Sequence, residues 1–242
     1  MNTKNYQIII SDYKIDVVRK NIKNLHLAVY PPNGRIRIAT PIRLTDDAIR
    51  LFAVSKLPWI KKQIRKFDHQ ERQTEREFVS RESHYYQGTR YLLNVIESNS
   101  TPKVELRSKT FIDLFVRPNS SRAAKEKILN EWYRKQLKED IPSLIEKWQK
   151  IIGVEVNDWG IKLMKTRWGS CNPRVKRIWI NLECAKKPFH CLEYIIVHEI
   201  VHLLERKHNE KFINYMNKFL PQWRIYKEEL NRFPLNHENW SY

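Results

Sequence analysis

The run Ile195-Ile196-Val197-His198-Glu199-Ile200-Val201-His202-Leu203-Leu204 sets two imidazoles and a carboxylate, in HExxH spacing, inside an otherwise apolar stretch. On an α-helix, residues four apart project about 40° apart and about 6 Å along the axis, so His198 and His202 can grip one metal ion. Glu199 then lies beside that ion, placed to take a proton from a bound water. The surrounding Ile, Val and Leu make a bare carboxylate costly unless a cation or hydrogen bonds compensate it. The bland alternative is a core helix with two hydrogen-bonded histidines. The joint spacing and the apolar setting favour a metal site.

A catalytic zinc holds three protein ligands and one water, so a third ligand is needed. His208 is the nearest candidate. An unbroken helix would carry it about 9 Å further along and onto another face. The helix must therefore end near Leu204 to Lys207 and fold His208 back, although no Gly or Pro stands there to make the turn. Asn209 is a good N-cap for the next helix, whose apolar stripe is Phe212, Ile213, Met216, Phe219 and Leu220. The alternative third ligand is a more distant carboxylate, Glu228 or Glu229.

The elements that must hold this helix can be read backwards from it. Pro188 marks its entry. Before it, Ile161–Met164 and Ile178–Leu182 read as strands of a hairpin turned by Gly169 to Lys176, with Val154–Asn157 a further strand. Asn181, facing opposite to Ile180 and Leu182, is a candidate for supporting the site from behind. Ser121 to Ile152 keeps a helical period in Ile128, Trp132, Leu137, Ile141, Leu144, Ile145 and Trp148. Pro142 should kink that helix or open a second one capped by Asp140. Its aromatics read as core rather than as a stacking platform for bases.

The run TRWGSC at 166–171, the strand IWINLECAKKP and YIIVHEIVHLLERKHNEKF together resemble the YgjP-like metallopeptidase family, and PQWRIYKEEL is similar to its closing segment. The resemblance spans about Arg19 to Arg232. It implies a compact zincin with zinc, or another divalent metal, at His198, His202 and His208 and with Glu199 as general base. In zincins a strand beside the metal helix can pair with an extended substrate, which would bring Arg167, Trp168 and Ser170 into the cleft. Arg167 would there stabilise an oxyanion or grip a phosphate or carboxylate. Taken without the resemblance, Arg167 and Trp168 read as a surface cation–π pair. The resemblance also places Cys171 near the metal, whereas by type alone it is a small buried thiol.

The front of the chain alternates β-formers in YQIII, YKIDVV, LHLAVY and RIRIAT, with Pro31-Pro32-Asn33-Gly34 turning the last two into a hairpin. Thr45 can cap a helix from Asp46, Pro58 interrupts it, and a second helix runs from Trp59 to about Glu71. Strand signals return at Tyr91–Val95, Val104–Leu106 and Phe111–Val116. The expected fold class is α+β. A small N-terminal α+β layer at 1–118 precedes a zincin-like catalytic half at 119–242, built of a β-hairpin and a bundle around the HExxH helix, unless the two form one continuous domain.

The formal net charge of +18 comes from 45 Lys and Arg against 27 Asp and Glu, spread along the chain rather than gathered in a tail. Such an excess suits nucleic acid, nucleotides or acidic proteins, or simply a solvated basic surface. No apolar run approaches the roughly 20 residues of a membrane span, and no secretory leader is visible. Cys171, Cys184 and Cys191 are odd in number and lack CxxC spacing, which argues against structural disulfides and suits the cytoplasm. The leading expectation is a cytoplasmic zinc-dependent hydrolase, a peptidase acting on peptide or protein through a metal-activated water. The rivals are a metal-dependent hydrolase of nucleotide phosphoanhydrides, and a non-enzymatic basic module for nucleic acid with a structural metal. A structural zinc favours four protein ligands and more cysteine, which weighs against the last.

Overall fold

A strand with one face on a core buries every second residue. Strands β2 (Tyr13–Lys20) and β4 (Arg35–Pro41) do this with Ile15, Val17, Ile36 and Ile38. The computed structural model describes residues 5–30, 34–68, 76–164 and 167–232. These fall into two compact units, 5–68 and 76–232. Together the described residues hold three small sheets and six α-helices, an α+β fold of the zincin-like kind.

In the first unit, β1 (Asn5–Ile10) and β3 (His26–Tyr30) complete a sheet of order β1-β2-β4-β3, with β2 parallel to β4 and the other pairs antiparallel. The third and fourth strands pair as the hairpin reading expects; Pro31, Pro32 and Asn33 of its turn lie outside the described residues, as do Lys165 and Thr166. Helix α1 (Asp46–Ser55) is capped by Thr45, whose hydroxyl accepts the Ala48 N–H at 3.3 Å. Helix α2 (Leu57–Asp68) carries Pro58 in its first turn, where a missing N–H costs nothing. The expected end of that helix at Glu71 is also outside the described residues. Ile49, Ala53 and Ile60 close the core over Ile8, Ile15 and Ile38.

The second unit opens with β5 (Ser83–Tyr86), β6 (Thr89–Glu97), β7 (Lys103–Leu106) and β8 (Phe111–Val116), in the order β5-β6-β8-β7. Leu93, Ile112 and Leu114 share one core with Leu129, Tyr133, Leu137 and Ile141 of α3 (Arg122–Ile152). The sequence reading drew its division at 118/119, whereas the compact units part before β5, because this sheet buries its apolar face in the core of α3. The four-residue steps of that stripe make α3 one continuous helix through Pro142, capped by Ser121 and closed by Gly153 at φ +76°.

The remaining strands are β9 (Asp158–Lys162), β10 (Gly169–Asn172) and β11 (Arg177–Asn181). They correct the expected hairpin. β9 runs parallel to β11, and the hairpin partner of β11 is β10, an edge strand. The tight turn starts after Asn172, whose Oδ1 accepts the Arg174 N–H at 3.1 Å, and Lys176 takes φ +50°. Residues 154–157 are not a strand, because their N–H groups bond elsewhere. Val154 and Val156 donate to the backbone and side chain of Gln149 at 3.1 and 3.3 Å, and Asn157 donates to the Lys176 carbonyl at 2.9 Å.

A 3-10 turn, Leu182–Lys186, leads into α4 (Phe189–Val201). The tip of the β5–β6 hairpin fixes this entry: the N–H groups of Gln87 and Gly88 donate to the carbonyls of Ala185 and Lys186 at 2.9 and 3.2 Å. Gly88 is required there, since its φ is +79° and a Cβ would fall 2.7 Å from Pro188 Cγ. Helix α4 is buried on almost every side, by Cys191, Leu192, Tyr194 to Val197, Ile200 and Val201, as befits a central helix. Helices α5 (Glu210–Phe219) and α6 (Trp223–Arg232) pack on it. Among the described residues no helix is long and apolar enough to cross a membrane.

Candidate metal centre and its cleft

Helix α4 ends at Val201, a little earlier than expected, with His202 as its C-cap. The chain then tightens. Leu203 and Leu204 donate to carbonyls three residues back, Ile200 and Val201, at 3.0 and 2.9 Å. The Glu205 carbonyl lies 3.0 Å from His202 Nδ1, and the Glu205 carboxylate accepts the Lys207 N–H at 3.1 Å. Side chains thus make the turn for which the sequence offers no Gly or Pro. Asn209 caps α5 by accepting the Phe212 N–H at 3.0 Å.

His208 is thereby folded back onto α4. One donor atom from each of His198, His202 and His208 lies within 4.8 Å of the others. His208 Nε2 stands 2.9 Å from His198 Nε2. Phe212 backs all three rings, at centroid distances of 4.9, 4.7 and 4.8 Å. The rival carboxylates are elsewhere: Glu229 binds His190 at 2.6 Å near the start of α4, and Glu228 is exposed.

These donors suit a divalent ion. Burial, then the neighbouring His202, His208 and Lys227, holds His198 down at about 3, and burial chiefly lowers His208, so both keep a free lone pair at neutral pH. The Glu205 carbonyl makes His202 Nδ1 the protonated nitrogen and turns the Nε2 lone pair to the site. His198 Nδ1 is buried without a hydrogen-bond partner. A tetrahedral zinc about 2.0–2.1 Å from each nitrogen would space the donors about 3.3 Å apart, close to the separation seen between His198 and His208. Three imidazoles with an open cleft beside them would suit a metal that keeps one position for substrate or water, rather than one closed off by four protein ligands.

Glu199 is 5% exposed. Burial pushes its carboxyl up to about 8, against the opposing charge of Arg167. Gly169 makes its position possible: a Cβ there would lie 2.6 Å from Glu199 Oε1. The edge strand β10 therefore presses directly on the carboxylate.

A cleft of about 570 Å³ opens over this group. Arg167, Trp168, Ser170 and Cys171 line it, so the structure brings the three residues named for substrate binding to the metal centre. The cation over the Trp168 ring is Lys187, at 5.4 Å, not Arg167. Burial and the nearby Glu199 push the Cys171 thiol up to about 12, leaving it protonated and a poor metal ligand. Asn181 works from behind. Its amide donates to the carbonyls of Met164 and Arg167, both at 2.7 Å, and so fixes the segment that delivers Arg167 and Trp168.

Sequence reasoning missed Gly169, Tyr194, Arg206 and Lys227, all of which line the cleft. Tyr194 carried a signal, since it stands four residues before His198 and so shares its helix face. Lys227 carried none, being joined to the site only by the folding of α6 against α4, and Arg206 stands on the turn that brings His208 back.

A family model for the YgjP-like metallopeptidase domain matches residues 23–233. The chain belongs to that family. The match takes in the whole described second unit and most of the first. A comparison with curated proteins gives no match. As a YgjP-like metallopeptidase domain, the chain is a metal-dependent, peptidase-like hydrolase.

Proposed function

We propose that this YgjP-like protein is a zinc peptidase whose ion is held by His198, His202 and His208 and whose general base is Glu199. The convergence of three imidazoles beside one buried carboxylate, at the floor of an open cleft, carries this reading. The bound ion would supply Lewis acidity to the scissile carbonyl and a water acidic enough to lose a proton near neutral pH. Glu199 takes that proton and delivers it to the leaving amine. Its burial raises its proton affinity toward neutrality, which suits a group that must both accept and return a proton. Arg167, exposed at the rim, is placed to meet negative charge developing on the substrate.

Among the described residues β10 pairs only with β11, which leaves its outer edge to bond an extended peptide backbone. Ser170 and Cys171 on that strand then flank the bound chain. Metal analysis joined to a peptide-cleavage assay tests the proposal. One zinc per chain and cleavage that disappears in Glu199→Gln are expected. Cleavage by the metal-free protein, or undiminished cleavage by the variant, would refute it.

A further inference from the structure

The charge of the cleft is one-sided. Besides the histidines, its wall carries three cations, Arg167, Arg206 and Lys227, and one carboxylate, Glu199. Some basic side chains elsewhere have acidic partners: Arg177 pairs with Asp158, Lys147 with Glu193 at 2.7 Å, Lys186 with Glu183 at 2.7 Å. Arg167 faces Glu199 electrostatically. Arg206, on the turn after α4, and Lys227, on α6, form no ion pair with a described residue; the neighbour of Lys227 is the Trp223 ring at 5.5 Å. Lys227 nonetheless lines the same cleft as His198 and His208.

Two free cations beside a site for a dication work against the ion, unless an anion completes the group. Among the described residues of the cleft wall, Glu199 is the one carboxylate, and neither Arg206 nor Lys227 pairs with it. Resting on the peptidase reading above, we propose that the cleft selects peptides with an acidic side chain beside the scissile bond, its carboxylate held by Arg206 and Lys227. These two cations and His208 come from the α4–α5 turn and α6, whereas Arg167, Gly169 and Ser170 come from the β10 side. The acidic side chain would therefore be held by different elements from the strand that binds the peptide backbone. A phosphate fits less well. The one glycine of the described lining, Gly169, is paired in the β10–β11 ladder, so among the described residues no glycine loop cradles a phosphoryl group.

The test compares fluorogenic peptides that differ only in Glu, Gln or Lys at each residue flanking the cleavable bond. With the zinc-loaded protein, kcat/KM for Glu over Gln should be about tenfold at one subsite, as expected for two partly exposed ion pairs. Arg206→Ala and Lys227→Ala should each erase part of that ratio, and Arg206→Glu with Lys227→Glu should turn the preference to Lys. Anisotropy of the same peptides on zinc-loaded Glu199→Gln, at rising salt, reads binding without cleavage. Equal binding and equal kcat/KM for Glu and Gln peptides overturn the inference, even if cleavage is fast. A Glu preference in binding that depends on Arg206 and Lys227, with no cleavage by the native protein, upholds it while sinking the peptidase reading. Displacement of the Glu peptide by a nucleoside triphosphate, a phosphoserine peptide or a nucleic-acid oligomer at lower concentration than the acidic peptide itself would also overturn it.

Discussion

A cluster of side chains able to ligate a metal lies near each end of helix α4, and the two groups are unlike. At its start, His190, Cys191 and Glu229 place donor atoms within 4.8 Å of one another; at its end, His198, His202 and His208 do the same. In the first group the demands are already met. His190 Nε2 bonds Glu229 at 2.6 Å, its ring packs on Tyr226 at 4.8 Å, and the Cys191 thiol faces the Tyr226 carbonyl at 3.8 Å. In the second, His198 and His208 turn their Nε2 atoms on each other. Two lone pairs facing at hydrogen-bond distance need a proton or a cation between them. Proximity of donors thus does not make a metal centre. Under the proposal above, the metal belongs to the second group, which is aimed at a cleft.

The largest expected effect follows from removing one arm of the second group. His208→Ala should cut zinc affinity by more than about 100-fold, beyond what losing a supporting partner costs, and abolish hydrolysis. The matching change in the first group, His190→Ala, should leave zinc content at one per chain. Zinc titration of both variants decides this, and equal losses in the two would erase the contrast.

Glu199→Gln should be next in size. It removes a base and keeps the shape, so hydrolysis should fall by roughly 10²–10⁴-fold while zinc content and Tm hold. The fold even gains slightly if a buried charge is lost, since ionising this carboxyl is disfavoured where it stands. Loss of zinc together with unfolding would instead make the centre structural.

Much of this contrast could be read in the chain, because an HExxH spacing is a local property of one helix. The two histidines of the motif, its glutamate and the downstream His208 all fall within eleven residues. The strands beside it were harder. Register between β10 and β11 depends on where a turn closes, and the turn after Asn172 is set by a side-chain bond and one left-handed Lys176, neither of which alternation reveals. The division between units was equally hidden. The two four-stranded sheets share one strand order and one parallel central pair, so both read as the same kind of layer. What separates them is that the second shares its core with α3 and α4, a matter of tertiary packing. Lys227 escaped for the same reason: a surface lysine has no pattern that tells which cleft it will border.

Gly169→Ala should act between these extremes, through geometry alone. The added Cβ would stand 2.6 Å from Glu199 Oε1, so the carboxylate or β10 must move. A shift of about 1 Å in a catalytic group costs on the order of 10²-fold in rate. kcat should fall with zinc content unchanged. An active variant would show that β10 does not set the position of the base.

The smallest expected effect belongs to the first group. Glu229→Gln removes the charge beside His190 but keeps a side chain able to hydrogen-bond its ring. Both partners are more than a third exposed, so the pair should contribute under about 1 kcal/mol, and Tm should move little. Zinc should bind with one equivalent in the variant as in the native protein, since His190 and Glu229 already satisfy each other and Cys191 keeps its proton, burial and the Glu229 charge pushing its thiol up to about 12. Calorimetric titration reads both quantities together. Two equivalents in the native protein and one in Glu229→Gln would show a second metal centre at the start of α4, and the distinction between satisfied and abandoned donors would then fail.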